Sequence, residues 1–197
     1  VQAMQQFVGQ GRWQDEKLLQ KHGQLVDETL GEEDGVYIVD ESGFPKKGEH
    51  SVGVARQWCG VLGKVENCQV GVFGAYASRR GYTLVDHHLF LPEEWFDDDH
   101  RERWKKCGIP DETTFQTKPE IALERLQAVV AAGSLRFQWV TCDELYGRSP
   151  DFLDGVAALD RWYLAEVPYN LRAWKTRPET AVVGPRSTSN QRATAPW

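Results

Sequence analysis

The composition of this chain is that of a folded, globular protein. Its 197 residues, 41% of them hydrophobic and 26% charged, suit one domain with a sizeable core and exclude a disordered chain. No apolar run approaches the roughly 20 residues needed to cross a bilayer, and a formal net charge of −6 argues against a protein that simply coats nucleic acid.

A helix and three strands are predicted over the first half of the chain. Residues 1–30 predict a helical segment that ends at Gly31, with apolar positions at Leu18, Leu19, Leu25 and Val26. β-Branched and aromatic runs then predict strands at 36–40, 67–76 and 82–91. Glycine and proline predict a loop over 42–48, and Arg79-Arg80-Gly81 predicts a hairpin turn.

Helices and strands alternate in the second half, after an acidic, aromatic and polar connection over 92–116. Thr117-Lys-Pro-Glu120 is a capping box that opens a helix, and Gly133 ends that helix. Ser149-Pro-Asp151 begins another helix, with serine as the N-cap. Strands are predicted at 137–143 and 162–167, and the composition from Pro178 onward predicts a loop or a disordered tail.

This order predicts an α/β fold with a mixed sheet of five strands. Hairpins join the first three strands, and helical crossovers add the last two in parallel, so that the first and fourth strands can lie side by side. The expected organisation is an N-terminal helical segment (1–30), a core (31–178) and a tail (179–197).

The N-terminus lacks the charged-then-apolar layout of a signal peptide, and the four cysteines form no C-x-x-C pair. Reduced core thiols are therefore predicted rather than disulfides or a zinc site. The chain begins with valine, so we expect the natural start of the protein to lie upstream.

Two aspartates, Asp40 and Asp143, each end a predicted strand. Parallel neighbouring strands lie about 4.8 Å apart, and ligands bind at the carboxyl edge of such sheets. Both side chains could therefore face one ion, and Mg²⁺ in such sites is completed by water and substrate phosphate oxygens. Two-metal phosphodiester chemistry would need a third carboxylate. Taken alone, each aspartate is better interpreted as a turn or N-cap residue than as a metal ligand.

The residues around these acids resemble DDE-type transposases of bacterial insertion sequences. The matching segments are Asp40-Glu-Ser-Gly-Phe-Pro-Lys-Lys-Gly and Val140-Thr-Cys-Asp143-Glu-Leu-Tyr-Gly. Further segments match in the same order, and the resemblance covers roughly residues 30–180. These segments are 53–72, 89–95, 117–120, 165–168 and 174–178.

The resemblance implies an RNase H-like catalytic domain. It implies that Asp40 and Asp143 hold Mg²⁺, with Mn²⁺ as a substitute, for cutting and joining DNA strands at insertion-sequence ends and target. Lys46, Lys47 and Arg148 are the candidate contacts to DNA phosphates. Self-association, no membrane contact and a bacterial, nucleoid-associated cytoplasmic location are also expected.

The third acid of that family is a glutamate on a helix well beyond the fifth strand, and we expect this chain to stop before it. The DNA-binding region that precedes the core in that family is expected to be missing or reduced. The function is therefore a transposase core, incomplete in this chain. The alternatives are an inactive remnant that binds DNA or protein, and an RNase H-like nuclease with another third ligand such as Glu166.

Other acidic and histidine residues receive a non-catalytic interpretation. Glu166 is predicted to be structural or on the surface, and Glu179 is a weaker candidate ligand still. Glu41 and Glu144 each follow a candidate ligand and are predicted to be solvated, with support of the neighbouring metal ligands as the alternative. His87-His88 and the Asp97–His100 stretch lack helical i, i+4 ligand spacing, and a solvated surface is predicted there as well.

Overall fold

A mixed sheet of six strands organises the computed structural model, which describes residues 3–6 and 15–172. The helices are α1 (Asp15–Leu30), α2 (Asp98–Cys107), α3 (Lys118–Ala132), α4 (Glu144–Gly147) and α5 (Pro150–Ala158). The strands are β1 (Val36–Pro45), β2 (Ala55–Cys59), β3 (Lys64–Ser78), β4 (Gly81–Phe90), β5 (Trp139–Cys142) and β6 (Trp162–Ala165). Within this part of the chain, no helix is both long and apolar enough to span a bilayer.

The strand order is β2-β3-β1-β5-β6, and β4 also pairs with β3. The pairs that involve β3 are antiparallel, whereas β1 with β5 and β5 with β6 are parallel. Each of the two parallel connections passes through a helix, α3 before β5 and α5 before β6. The predicted side-by-side placement of the first and fourth predicted strands is therefore confirmed by the pairing of β1 with β5.

The prediction of five strands is wrong, because β2 was not predicted. Its sequence, Ala-Arg-Gln-Trp-Cys, is short and has no β-branched residue, and it becomes a strand by pairing with the first residues of β3. The predicted loop over 42–48 is also wrong at its start, since β1 continues to Pro45 along the long partner β3. Glycine suits position 43 because the chain packs closely against Cys59 there: an added Cβ would lie 2.9 Å from the Cys59 Sγ.

Helix α2 lies where an irregular connection was predicted. Asp98 and Asp99 in its first turn and Lys105 and Lys106 in its last turn suit the helix dipole. Its one buried side chain is Trp104, so the sequence carries no apolar periodicity. The Trp104 indole donates to the Trp95 carbonyl at 2.8 Å, and the Trp95 indole donates to the Val54 carbonyl at 2.9 Å.

The main core lies between the sheet and helices α1, α3 and α5. Its buried members include Val26 of α1, Tyr37 and Val39 of β1, Leu126 of α3, Val140 of β5 and Phe152 of α5. The predicted caps are confirmed: Thr117 and Glu120 form the reciprocal capping box, Gly133 is left-handed with φ of 58°, and Ser149 accepts from the Phe152 amide.

Helix α1 buries a narrower face than predicted. Leu18 and Leu25 are 59% and 47% exposed, so their assignment to the apolar face is wrong, and Val26 carries the contact with the core. The His22 ring also holds the helix to the sheet, since its Nε2 lies 2.8 Å from the Leu84 carbonyl oxygen on β4.

An ion pair buried beside the core joins β4 to α3. The Asp86 side chain is only 1% exposed, and Arg125 donates to both of its oxygens, Nε to Oδ2 at 2.9 Å and Nη2 to Oδ1 at 2.7 Å. Such a two-point contact is stronger and more directional than a single hydrogen bond. Burial, together with the nearby Asp86 charge, raises the pKa of Tyr37 well above its usual range.

Replacing Arg125 with methionine should destabilise the fold by about 3–5 kcal/mol, because a buried carboxylate would lose its partner. Urea unfolding would measure the loss. The matched control is Arg79→Met, which breaks the exposed Arg79–Asp34 pair and should cost less than about 1 kcal/mol. Equal losses in the two variants would contradict this account of the buried pair.

Candidate metal centre

The parallel pairing of β1 with β5 brings the two predicted aspartates together. The register pairs Val36 with Trp139 and Val39 with Cys142, and Asp40 and Asp143 are the next residue in each segment. The prediction that Asp40 ends its strand is wrong, because β1 continues along β3 to Pro45, whereas Asp143 directly follows β5. Asp143 is also the N-cap of α4, where its Oδ1 accepts from the Leu145 amide at 2.9 Å. Asp40 Oδ1 accepts from the Glu41 amide at 2.7 Å.

Three carboxylates meet at this edge of the sheet. Asp40, Glu41 and Asp143 each offer one oxygen, and these oxygens all lie within 4.8 Å of one another. It is the one group of three or more such side chains within residues 3–6 and 15–172. Asp40 is exposed, whereas Glu41 and Asp143 are half-buried, so the group is open to solvent and to a substrate on one side.

Glu41 is not solvated, and the prediction for this residue is wrong. Its Oε1 accepts from Lys118 Nζ at 3.0 Å, and its Oε2 accepts from the Tyr146 hydroxyl at 2.9 Å. The Glu41 and Lys118 side chains are each 18% exposed. Successive residues of a strand face opposite sides of the sheet. Glu41 therefore shares the core-facing side with Tyr37 and Val39, whereas Asp40 does not.

Burial first, and then the crowding of negative charge, shape the acid–base properties of the site. Partial burial raises the pKa of Asp40 above its usual value, and the charges of Glu41 and Asp143 add to the rise, while the Glu41 amide and Lys118 oppose it. Burial and the Glu41 carboxylate raise the pKa of Tyr146 far above its usual range, so its hydroxyl keeps its proton and donates. Burial raises the pKa of the Cys142 thiol to about 11, which leaves it neutral.

The donor set fits a hard divalent cation. Carboxylate oxygens are the ligands that Mg²⁺, Mn²⁺ and Ca²⁺ prefer, whereas the neutral Cys142 thiol is unsuited to them. Each aspartate uses Oδ1 for a neighbouring backbone amide. Within the described residues, the hydrogen bonds of both aspartates therefore leave Oδ2 for a cation.

The predicted basic residues follow two elements, β1, which contains Asp40, and α4, which Asp143 caps. Lys46 and Lys47 follow directly after β1. Asn67 fixes the Lys46 backbone, because the Lys46 amide donates to the Asn67 carbonyl at 2.9 Å and the Lys46 carbonyl accepts from Asn67 Nδ2 at 2.9 Å. The Lys47 side chain is exposed. Arg148 is exposed after α4 and lines a groove together with Phe115, Lys118 and Ser149. Lys118, which lines this groove, also contacts Glu41.

The other acidic and histidine residues stand apart from the group. Glu144 is exposed, and His87 and His88 are exposed on β4. Within the described part of the chain, neither histidine joins a group able to hold a metal. Glu166 is not a member of the acidic group; its backbone amide donates to the Cys142 carbonyl at 3.1 Å, next to the β5–β6 pairing. Glu179 and the predicted tail lie outside the described residues.

Lys118 and Tyr146 are contacts that the sequence analysis did not assign to the site. Both residues lie in segments that resemble the family. Lys118 follows the N-cap Thr117, and Tyr146 lies three residues after Asp143. Side chains in a helix tilt toward its N-terminus. The spacing of three residues from the N-cap Asp143 could therefore have indicated that Tyr146 lies near the acids. No local pattern could have predicted the Lys118 contact, because its partner Glu41 lies 77 residues away.

The mixed sheet flanked by helices, with acids directly after the last paired residues of two adjacent parallel strands, is compatible with an RNase H-like catalytic domain. The family described as DDE superfamily endonuclease matches residues 1–196, and the chain belongs to this family. The resemblance to DDE-type transposases that the sequence segments indicate is therefore confirmed at the level of the family. The family depends on divalent metal ions, in agreement with the acidic group.

The chain is also similar to a protein described as "Probable transposase for insertion sequence element IS701" from Microchaete diplosiphon. The two are 28% identical over 172 residues, which make up 86% of this chain and 41% of that protein. The chain thus spans less than half the length of this relative. No solved structure shows a significant match to the chain.

Replacing Asp40 with asparagine should stabilise the metal-free fold at neutral pH. A carboxyl group whose pKa is higher in the folded than in the unfolded chain loses stability as the pH rises through that interval. The asparagine keeps the acceptor for the Glu41 amide without the charge. Because Asp40 is exposed and screened, the expected gain in melting temperature is small, about 1–2 °C at about pH 7.

This gain should vanish at about pH 3, where the aspartate is protonated in both states. Thermal unfolding at the two pH values in the presence of a chelator would measure it. A lower melting temperature for Asp40→Asn at neutral pH would contradict the repulsion inferred for the site.

Proposed function

We propose that this chain is the catalytic core of an insertion-sequence transposase, which cuts and joins DNA strands with Mg²⁺ held by Asp40 and Asp143. The observation that carries the proposal is the meeting of these two carboxylates at the end of the parallel β1–β5 pair, with oxygens within 4.8 Å. The description of the relative as a probable transposase supports the DNA substrate.

Each residue has a defined role in this proposal. A bound divalent ion would supply the positive charge that activates the attacking water or 3′-hydroxyl and stabilises the leaving oxygen. Asp40 and Asp143 hold that charge where the DNA phosphate must come, since their own charges would otherwise repel the phosphate. Lys46 and Lys47, at the end of β1, and Arg148, after α4, contact the flanking phosphates.

The third carboxylate of the site is proposed to come from outside the described residues. Among the described acids, only Glu41 joins the two aspartates, and both of its oxygens already accept hydrogen bonds from Lys118 and Tyr146. The alternative with Glu166 as a ligand gains no support, because Glu166 is not part of the group.

Replacing Asp143 with asparagine should weaken Mn²⁺ binding by more than the roughly 10–100-fold loss typical of residues that only support a ligand. Isothermal titration calorimetry would measure the affinity. The matched control is Glu144→Gln, which removes a carboxylate from the next residue, where the side chain is exposed and outside the acidic group. It should change the affinity by less than about twofold.

Nicking of element-end DNA tests the activity with the same variants. Metal-dependent nicking by the wild-type chain that is lost in Asp143→Asn and kept in Glu144→Gln would support the catalytic core. Metal binding without nicking would favour the inactive remnant instead. Binding that survives replacement of both Asp40 and Asp143 with alanine would refute the site itself.

Replacing Lys47 with alanine should reduce the slope of log affinity against log salt concentration for DNA binding by about 1, because each phosphate contact releases about one counterion. Fluorescence anisotropy of a labelled duplex at several salt concentrations would measure it. Lys21→Ala, an exposed lysine on α1, is the control and should leave the slope unchanged. An unchanged slope for Lys47→Ala would remove this lysine from the DNA contacts.

A further inference from the structure

Glu41 connects three elements that meet at the acids. It lies on β1 directly after Asp40, and its two oxygens accept from Lys118 at the start of α3 and from Tyr146 on α4. Helix α4 is the single short turn capped by Asp143. One carboxylate therefore ties the strand that carries Asp40 to the turn that carries Asp143.

The burial of this connection makes it suited to setting a distance. Tyr146 is fully buried and packs against Phe152, with ring centroids 5.6 Å apart. Gly147, the next residue, packs so closely against the Glu166 backbone that an added Cβ would overlap it. The tyrosine hydroxyl is thus held in place by the core rather than by the acids, and Glu41 is held to it.

We propose that Glu41 is a positioning residue rather than a metal ligand, and that the Tyr146 hydroxyl, acting through Glu41, sets the spacing of Asp40 and Asp143 for the cation. The inference rests on the proposed function, because it assumes that these two aspartates bind the metal. Lys118 balances the charge of Glu41, so that Glu41 can stay beside two other carboxylates and keep its hydrogen bond with Tyr146.

The direction of the expected effect separates positioning from direct ligation. Without the Tyr146 hydroxyl, a positioning Glu41 leaves the Asp143 turn less well fixed, and metal binding weakens. If Glu41 were instead a ligand held back by Tyr146, the same change would release it toward the ion, and metal binding would tighten. Tyr146→Phe alters no charge, so electrostatics alone predicts no change.

The test is Mn²⁺ affinity of the full chain, measured by calorimetry, for Tyr146→Phe against Tyr76→Phe. Tyr76 is an equally buried tyrosine whose hydroxyl accepts from the Glu32 amide at 2.9 Å and lies 3.4 Å from the Leu30 carbonyl. Both variants should lose similar stability in urea. Only Tyr146→Phe should weaken Mn²⁺ binding, by about tenfold, as for other groups that support metal ligands.

Two further variants show whether the effect passes through Glu41. In a Glu41→Ala background, Tyr146→Phe should change the affinity by less than about twofold, because no acceptor remains for the hydroxyl. Glu41→Asp keeps the charge and shortens the side chain, and it should weaken Mn²⁺ binding by a similar factor to Tyr146→Phe. This variant also provides the test if Tyr146→Phe folds poorly.

Each outcome decides the inference. Weaker binding in Tyr146→Phe and Glu41→Asp, with Tyr76→Phe unchanged, supports it. Tighter binding in Tyr146→Phe assigns Glu41 as a ligand and overturns it, and so does equal affinity in Tyr146→Phe and Tyr76→Phe. If Asp143→Asn leaves the wild-type affinity unchanged, the proposed function fails, and this inference fails with it.

Discussion

Parallel pairing of β1 with β5 is the contact on which the whole site depends. It places Val39 beside Cys142 on the core-facing side of the sheet, and therefore places Asp40, within β1, beside Asp143, which directly follows β5. A slip of one residue would turn Val140 and Cys142 away from the core and move Asp143 to the other face. The apolar residues of the core thus hold the register that brings two like charges together.

That arrangement is unfavourable for the metal-free chain and is maintained by the surrounding structure. The raised pKa of Asp40 reflects partial burial and the repulsion within the acidic group. Lys118 and Tyr146 satisfy the third carboxylate, Glu41, and α3 carries Lys118 at a capped, well-fixed helix start. The Asp86–Arg125 pair fixes the same helix to β4. The elements that stabilise α3 therefore also stabilise the surroundings of the acids.

Local signals in the sequence predicted the elements that form the site, and they failed where an element depends on a distant partner. Caps at Thr117 and Ser149 and the β-branched run before Asp40 act within a few residues, and their predictions hold. Strand β2 and helix α2 have weak periodicity of their own. They are held by pairing with β3 and by the indole hydrogen bonds of Trp95 and Trp104, which no local pattern reveals.

The amino-acid sequence was enough to indicate the family, the order of the main helices and strands, and two aspartates that could meet, because each of these depends on short stretches of neighbouring residues. The contacts of Glu41 with Lys118 and Tyr146, which replace the predicted solvation, become visible only in the folded chain. Those partners lie 77 and 105 residues away in the chain. They come together only because α3 and β5 return the chain to β1, and contacts at such separations depend on packing rather than on neighbouring residues.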